Sequence, residues 1–255
     1  MIDISIIASG SNGNSYLVEN KDTSILVDAG KSGKEIQARM NRLGKNIENV
    51  DAILVSHEHT DHTKGIGILS RRFNIPVIIT KSTYNHCAFN LGKLHEKKFF
   101  RKDTKFKIKD IDIQPIETMH DASDATGFAF KSKDKRFAII TDTGIVTPHI
   151  KDIIRKVDGV ALESNYDIEM LINGPYPHYL KNRILSDYGH LSNIECAQLI
   201  KNYQSDKLKT VMLSHLSGNN NSPEKAKDTF NKIASSKNFK LIVSSRDNET
   251  GCFRI

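Results

Sequence analysis

Residues 50–62 read VDAILVSHEHTDH, an apolar β-rich segment that ends directly in three histidines and an acidic pair. Val50 to Val55 has the pattern of a buried strand. A chain that stacks titratable groups at the exit of a buried strand must bring strand ends together at a functional rim. Extended backbone points positions i and i+2 to the same side, so His57 and His59 share a face just past the strand. Asp61 and His62 lie where the chain turns into the next helix and approach the same place from another angle. An isolated HxH is more often a histidine-bearing surface loop, but HxHxDH at a strand exit points to metal. The spacing suits two neighbouring divalent cations, about 3.5–4 Å apart, which can clamp the attacking and leaving oxygens of a displacement.

The rest of the chain supplies the frame. IDISIIAS, YLVEN and SILVDAG read as early strands, followed by helical spacing at Ile36, Met40 and Leu43. GIGILSRRF reads as a helix, PVIIT as a strand, and 105–116 as one or two alternating strands. FAFKS and RFAII form a hairpin around KDK, then HIKDIIRKV returns to helical spacing. VDGVALES, KTVMLSHLS and KLIVSSR are later strands, separated by helices near 194–203 and 222–234. Strands alternating with helices imply a layered α/β fold, and with no internal period or low-complexity linker the expectation is one domain over 1–255.

Composition excludes several classes. With 38% apolar and 26% charged residues the chain is globular rather than disordered. No basic leader precedes an apolar run, and no window reaches the roughly 20 apolar residues of a spanning helix, so a cytoplasmic protein without membrane contact is expected. Cys87, Cys196 and Cys252 are odd in number and far apart, which suggests buried fillers rather than disulfides or a thiolate metal site. The net charge of +7, with pI near 9.2, favours a polyanionic partner but equally fits a plain cationic surface.

A site for two cations needs further donors at other strand ends. MHD places His120 after the strand ending near Ile116, ITDTG places Asp142 after FAII, and LSHLS places His215 after TVML. The order ILVDAG, SHEHTDH, MHD, TDTG, SHLS resembles the metallo-β-lactamase superfamily. That resemblance implies an αβ/βα four-layer sandwich. It also implies that His57, His59 and His120 hold one ion, that Asp61, His62 and His215 hold a second, that Asp142 bridges them, and that Asp28 orients the ligand loop. Imidazole with carboxylate suits zinc or manganese, and iron as well.

Two further segments narrow the likeness. YPHYLKNRILSDYGHLSN at 176–193 and ASGSNGNS at 8–15 resemble the YycJ (WalJ) family, described as metal-dependent DNA exonucleases, and NNN at 219–221 adds to it. The short intervals from His120 to Asp142 and from Asp142 to His215 leave no room for the tRNA-gripping arm or the large cap domain of other nuclease branches. The implied activity is a phosphodiesterase in which a metal-bridging hydroxide attacks phosphorus, acting on DNA from the 5′ end. Asp61 would orient the nucleophile, and His190, steered by Glu163, would protonate the leaving oxygen. Ser9, Ser11, Asn12, Asn14 and Asn219, with Lys181 and Arg183, are candidates to face the phosphate, although such residues are usually turn and surface positions. A thioester or lactone hydrolase, and a non-catalytic metal-stabilised DNA-binding protein, are the alternatives. The basic cluster 93–109, with Phe99, Phe100 and Phe106 among its lysines, could bind a strand by phosphate contacts and stacking. Its alternation reads more simply as an edge strand guarded by lysine.

Overall fold

A computed structural model describes residues 1–234 and 238–255. Among the described residues, strands form two seven-stranded sheets. The first is ordered β14 (Gly251–Arg254), β1 (Asp3–Ala8), β2 (Ser15–Glu19), β3 (Ser24–Val27), β4 (Ala52–Leu54), β5 (Val77–Ile79), β6 (Lys97–Phe99). It is antiparallel as far as β3 and parallel from β3 to β6. The second is ordered β13 (Lys240–Val243), β12 (Thr210–Ser214), β11 (Gly159–Glu163), β10 (Lys135–Ile140), β9 (Thr126–Ser132), β8 (Ile111–Glu117), β7 (Phe106–Ile108). Here β7 to β10 are antiparallel and β10 to β13 parallel.

The apolar pattern explains the layering. Every residue of SILV in β3 is buried, because both faces of the strand are covered. Ile25 and Val27 join Phe128, Phe130, Phe137 and Met212 in the core between the sheets, while Leu26 points outward. There it meets Ile36 and Met40 of α1 (Gly33–Arg42), Leu69 of α3 (Ile66–Phe73) and Leu91 of α4 (Lys81–Leu91), and the short α2 (Thr60–Thr63) precedes α3. On the other side, Val160, Leu162, Val211 and Leu213 pack on α5 (Pro148–Ile154), α8 (Asn193–Tyr203) and α9 (Pro223–Ala234). The result is the αβ/βα sandwich implied by the resemblance.

The remaining helices, α6 (Ile168–Asn173) and α7 (His178–Leu185), form a small cluster of their own around Leu171 and Ile184. Pattern reading does not find α4, α6, α7 or β14. Helix α4 buries only Thr83, Cys87 and Leu91, a stripe too poor in apolar residues to register. Strand β14 returns to pair with β1 across the whole chain length, a non-local contact that no local window contains. Cys87 and Cys196 are buried fillers as expected, but Cys252 on β14 is exposed, because that strand lies at a sheet edge.

The basic cluster resolves into two edge strands, β6 and β7, one on each sheet. Phe100 is buried and stacks on Phe106 at 5.2 Å, so both rings belong to the core rather than to a base-stacking surface. Several of the lysines are paired, among them Lys102 with Asp124, Lys107 with Asp112 and Lys109 with Asp51. Among the described residues no helix is long and apolar enough to cross a membrane.

Phe128 is fully buried between the sheets. Phe128→Ala is expected to cost about 3–5 kcal/mol, seen as a lower urea midpoint at unchanged slope.

Candidate metal centre and cleft

The parallel halves of the two sheets point their carboxyl ends to one rim, where connecting loops are free to carry function. Asp28 follows β3, His57 and His59 follow β4, His120 follows β8, Asp142 follows β10, Glu163 ends β11 and His215 follows β12. Three of these, Asp28, Asp142 and His215, hold positive φ of 58°, 59° and 59°. Left-handed backbone is uncommon outside glycine and concentrates at functional sites. Here it turns each side chain sharply off its strand end. Gly30 lets the β3 exit pass the 58–62 loop: a Cβ there would lie 1.7 Å from the Asp61 carbonyl oxygen.

The structure brings the expected donors together. His57, His59 and His120 offer atoms within 4.8 Å of one another, and so do Asp61, His62 and His215. Asp142 reaches both groups: Oδ2 lies 3.3 Å from His62 Nε2, while Oδ1 lies 3.7 Å from His120 Nε2 and 3.5 Å from His215 Nε2.

Behind these atoms, hydrogen bonds set the imidazole orientations. His62 Nδ1 donates to Asp28 Oδ2 at 2.7 Å, and His215 Nδ1 donates to Glu163 Oε1 at 2.8 Å. His120 Nδ1 donates to the Gly189 carbonyl at 3.1 Å. Ser56 gives its hydroxyl proton to Asp28, so it accepts from His57 Nδ1 at 3.0 Å. With Nδ1 committed from behind in all four rings, each Nε2 is left pointing toward the centre, where a proton or a cation can take its lone pair. His57 Nε2, His215 Nε2 and Asp142 Oδ2 are buried without a hydrogen-bond partner. Convergent orphaned acceptors of nitrogen and oxygen type fit divalent cations.

The electrostatics agree. Burial disfavours a charged His57, and the neighbouring His62, His120 and His59 hold its pKa further down. Burial also pulls on His62, but Asp142, Asp61 and Asp28 outweigh it and raise the pKa to about 9. His215 is raised well above its ordinary value in the same way, by Asp142, Asp61 and Glu163 against burial. Burial pushes Asp61 up, yet His62 and His215 hold it below the usual carboxylate range.

His190 and Glu163 are also joined. His190 Nδ1 donates to Glu163 Oε1 at 2.8 Å, the same oxygen that holds His215. Glu163 is fully buried, and its Oε2 accepts from the backbone of Thr143 and Leu191 at 2.9 and 3.3 Å. The other side of the His190 ring faces a cleft of about 230 Å³ that also exposes Ser11, His59, Asp61, His120 and His215.

The candidate phosphate contacts separate. Ser11 lines the cleft. Ser9 and Asn14 do not reach it, being fully buried beneath: Ser9 Oγ meets Tyr16 Oη and the His215 amide, while Asn14 bonds the Gly10 carbonyl and His62 Nε2. Asn12 is half-buried, with an unpartnered Oδ1. Arg183 lines the cleft but its guanidinium is bound to Asp121. Lys181 Nζ is held by the Ile172 carbonyl, and Asn219 donates to Tyr176 Oη at 3.1 Å.

Sequence reading assigns no role to Asp121, whose Oδ1 lies 3.3 Å from His120 Nε2, nor to Asn165, which donates to the His215 carbonyl at 2.8 Å. Adjacency to His120 is the one signal that could have found Asp121. None exists for Asn165, two residues past β11.

Residues 23–216 match the family described as Beta-lactamase superfamily domain. The chain belongs to that superfamily. It is 37% identical over 240 residues to Exodeoxyribonuclease YycJ of Bacillus anthracis, covering 93% of this chain and 91% of that protein. Exodeoxyribonuclease WalJ of Streptococcus pneumoniae is 37% identical over 256 residues, 96% of this chain and 95% of its own length. The metallo-β-lactamase fold protein YhfI of Bacillus subtilis superposes with a TM-score of 0.79 over 100% of both chains at 16% identity, a likeness of fold. The superfamily is hydrolytic and metal-dependent, and this chain is an enzyme of that kind.

Protons and cations compete for the same lone pairs. Zinc uptake near pH 7 is therefore expected to release roughly two protons per chain, from His62 and His215, and to weaken as pH falls. Calorimetry in buffers of different ionisation enthalpy measures both. Asp28→Asn removes the acceptor that orients His62 and should weaken zinc binding about 10–100-fold by competition with a chelating dye.

Proposed function

We propose that the chain, acting as one catalytic unit over residues 1–255, is a dinuclear-metal phosphodiesterase that removes nucleotides from DNA, working from the 5′ end in the cytoplasm. The observation that carries this reading is two donor groups meeting at Asp142 on the floor of a cleft lined by His190, which buried Glu163 holds from behind. The names of its relatives support DNA as the substrate.

In this reading His57, His59 and His120 hold one cation, Asp61, His62 and His215 the other, and Asp142 lies between. Zinc or manganese suits the donors, with iron also compatible. When bound, the cations supply positive charge to the phosphate oxygens and lower the pKa of water toward neutrality.

The chain's own groups do the rest. Asp61 accepts a hydrogen bond from the attacking water and so aims it. Glu163 holds the His190 Nδ1 proton, which keeps Nε2 on the cleft side. There His190, in its protonated form, gives a proton to the departing sugar oxygen. Ser11, on the cleft lip, donates to a phosphate oxygen.

The cleft favours a polymer end over a small thioester or lactone. The cleft, of about 230 Å³, is open to solvent, so a strand can run on beyond it from a terminal nucleotide held inside. A purely structural metal site would have its donors closed off by protein, whereas this one opens to a cleft.

The test is zinc- or manganese-loaded protein with end-labelled single- and double-stranded DNA and RNA, beside a thioester and the His59→Ala variant. Stepwise loss from the DNA 5′ end, absent in His59→Ala, is expected; release no faster than in that variant sinks the reading. His190→Ala should keep full metal content and lower kcat on DNA by about 10²-fold or more. Unchanged turnover would show that His190 is not the proton donor.

A further inference from the structure

The two lips of the cleft differ in charge. On one side α7 presents Leu180 and Ile184, Tyr176 stands just before that helix, and the Arg183 charge is taken up by the Asp121 carboxylate. This lip offers a nucleic acid an apolar and aromatic surface with one neutralised ion pair, and Lys181 of α7 is turned to the Ile172 carbonyl.

The other lip is made by the 9–14 loop, the 217–218 turn and the end of α2. Ser11 and Ser217 line the cleft there; just outside the lining, Arg246 packs against Gly10 and Gly218 and Lys31 against Gly13, and Lys64 precedes Gly65, which lies against the Lys31 carbonyl. Arg246 lies between the two loops, so that a Cβ on Gly10 would come within 3.2 Å of its Cγ and one on Gly218 within 2.6 Å of its guanidinium carbon. The Lys31 stem crosses Gly13, where a Cβ would meet its Cδ at 2.8 Å. Glycine at these positions lets the cationic stems lie flat along the lip.

Among the described residues none of these three cations has a carboxylate within ion-pair distance. The acid that faces Lys31, Glu35, is bound to Arg39 at 2.8 Å. Burial holds the Lys31 pKa below its ordinary value; Glu35 pulls it up, and Arg39, Arg246 and Lys64 add to the lowering.

We propose that Arg246, Lys31 and Lys64 form the track for the phosphate backbone of the substrate strand, with the bases laid across the cleft toward Tyr176 and α7. The inference rests on the nuclease reading and assigns its binding surface. Uncompensated cations attract a polyanion by releasing its counterions, while the opposite lip, where Asp121 and Arg183 neutralise one another, accepts the flat faces of bases on apolar and aromatic side chains.

The experiment compares kcat/KM on a labelled single-stranded oligonucleotide across a series of salt concentrations. Each lost phosphate contact should lower the slope of log kcat/KM against log salt by roughly 0.7. The double variant Lys31→Gln/Arg246→Gln is thus expected to lose about 1.4 in slope and to raise KM more than it lowers kcat. Lys64→Gln, at an exposed helix end, should lose roughly 0.7 by itself, which keeps the test alive if the double variant folds poorly. Lys105→Gln/Lys107→Gln removes the same charge from edge strand β7 and the residue before it, and should leave the slope unchanged. If the wild type cleaves DNA but the β7 pair lowers its slope as much as the lip variants do, net charge alone steers the strand and the track is refuted. Unchanged slopes in all variants also refute it. If the wild type does not cleave DNA at all, the nuclease reading falls and takes the track with it.

Discussion

His57, His62, His120 and His215 are oriented by acceptors behind their Nδ1 atoms, and those acceptors are, or are themselves held by, carboxylates and carbonyls from other parts of the chain. Asp28 anchors His62 and, through Ser56, His57; Glu163 anchors His215 and His190 together. A buried carboxylate is costly, of order several kcal/mol, unless its oxygens are fully used. Glu163 meets that condition with two imidazole and two amide donors. It therefore couples the floor of the site to the His190 wall, and the connection between β11 and β12 is tied to the second sheet through it.

The same economy shapes the rim. Two sheets facing one another leave only their loop ends open to water, so polar groups that need each other collect there. Asp142 sits where the two donor groups meet, and the positive φ of Asp28, Asp142 and His215 directs their side chains inward. Around this centre the cleft is apolar and aromatic along α7 and polar along the 9–14 and 217–218 segments, against which Arg246 and Lys31 pack.

Much of this was legible in the order of residues. The α/β layering follows from apolar strands alternating with helical spacing, and HxHxDH at a strand exit, with His120, Asp142 and His215 at later strand ends, marks out the residues that gather at the rim. What could not be read is equally specific. Helix α4 is held by Thr83, Cys87 and Leu91, which carry no clear apolar period. Strand β14 finds its partner at the opposite end of the chain. Ser9 and Asn14 look like exposed loop residues in the string SGSNGN, but the fold buries them under the centre.

The sequence by itself determined which side chains have the chemistry to hold cations and move a proton, because ligand type and strand-exit position are local properties. Only the tertiary structure decided which charges remain available to a partner. Lys181 and Arg183 stand close to the motif residues in the string, yet hydrogen bonds to Ile172 and Asp121 occupy them. Lys31, Lys64 and Arg246 come from three separate segments and are brought near one another, and among the described residues none has a carboxylate at ion-pair distance. Pairing is a matter of distance in space, and distance in space is set by how the sheets pack.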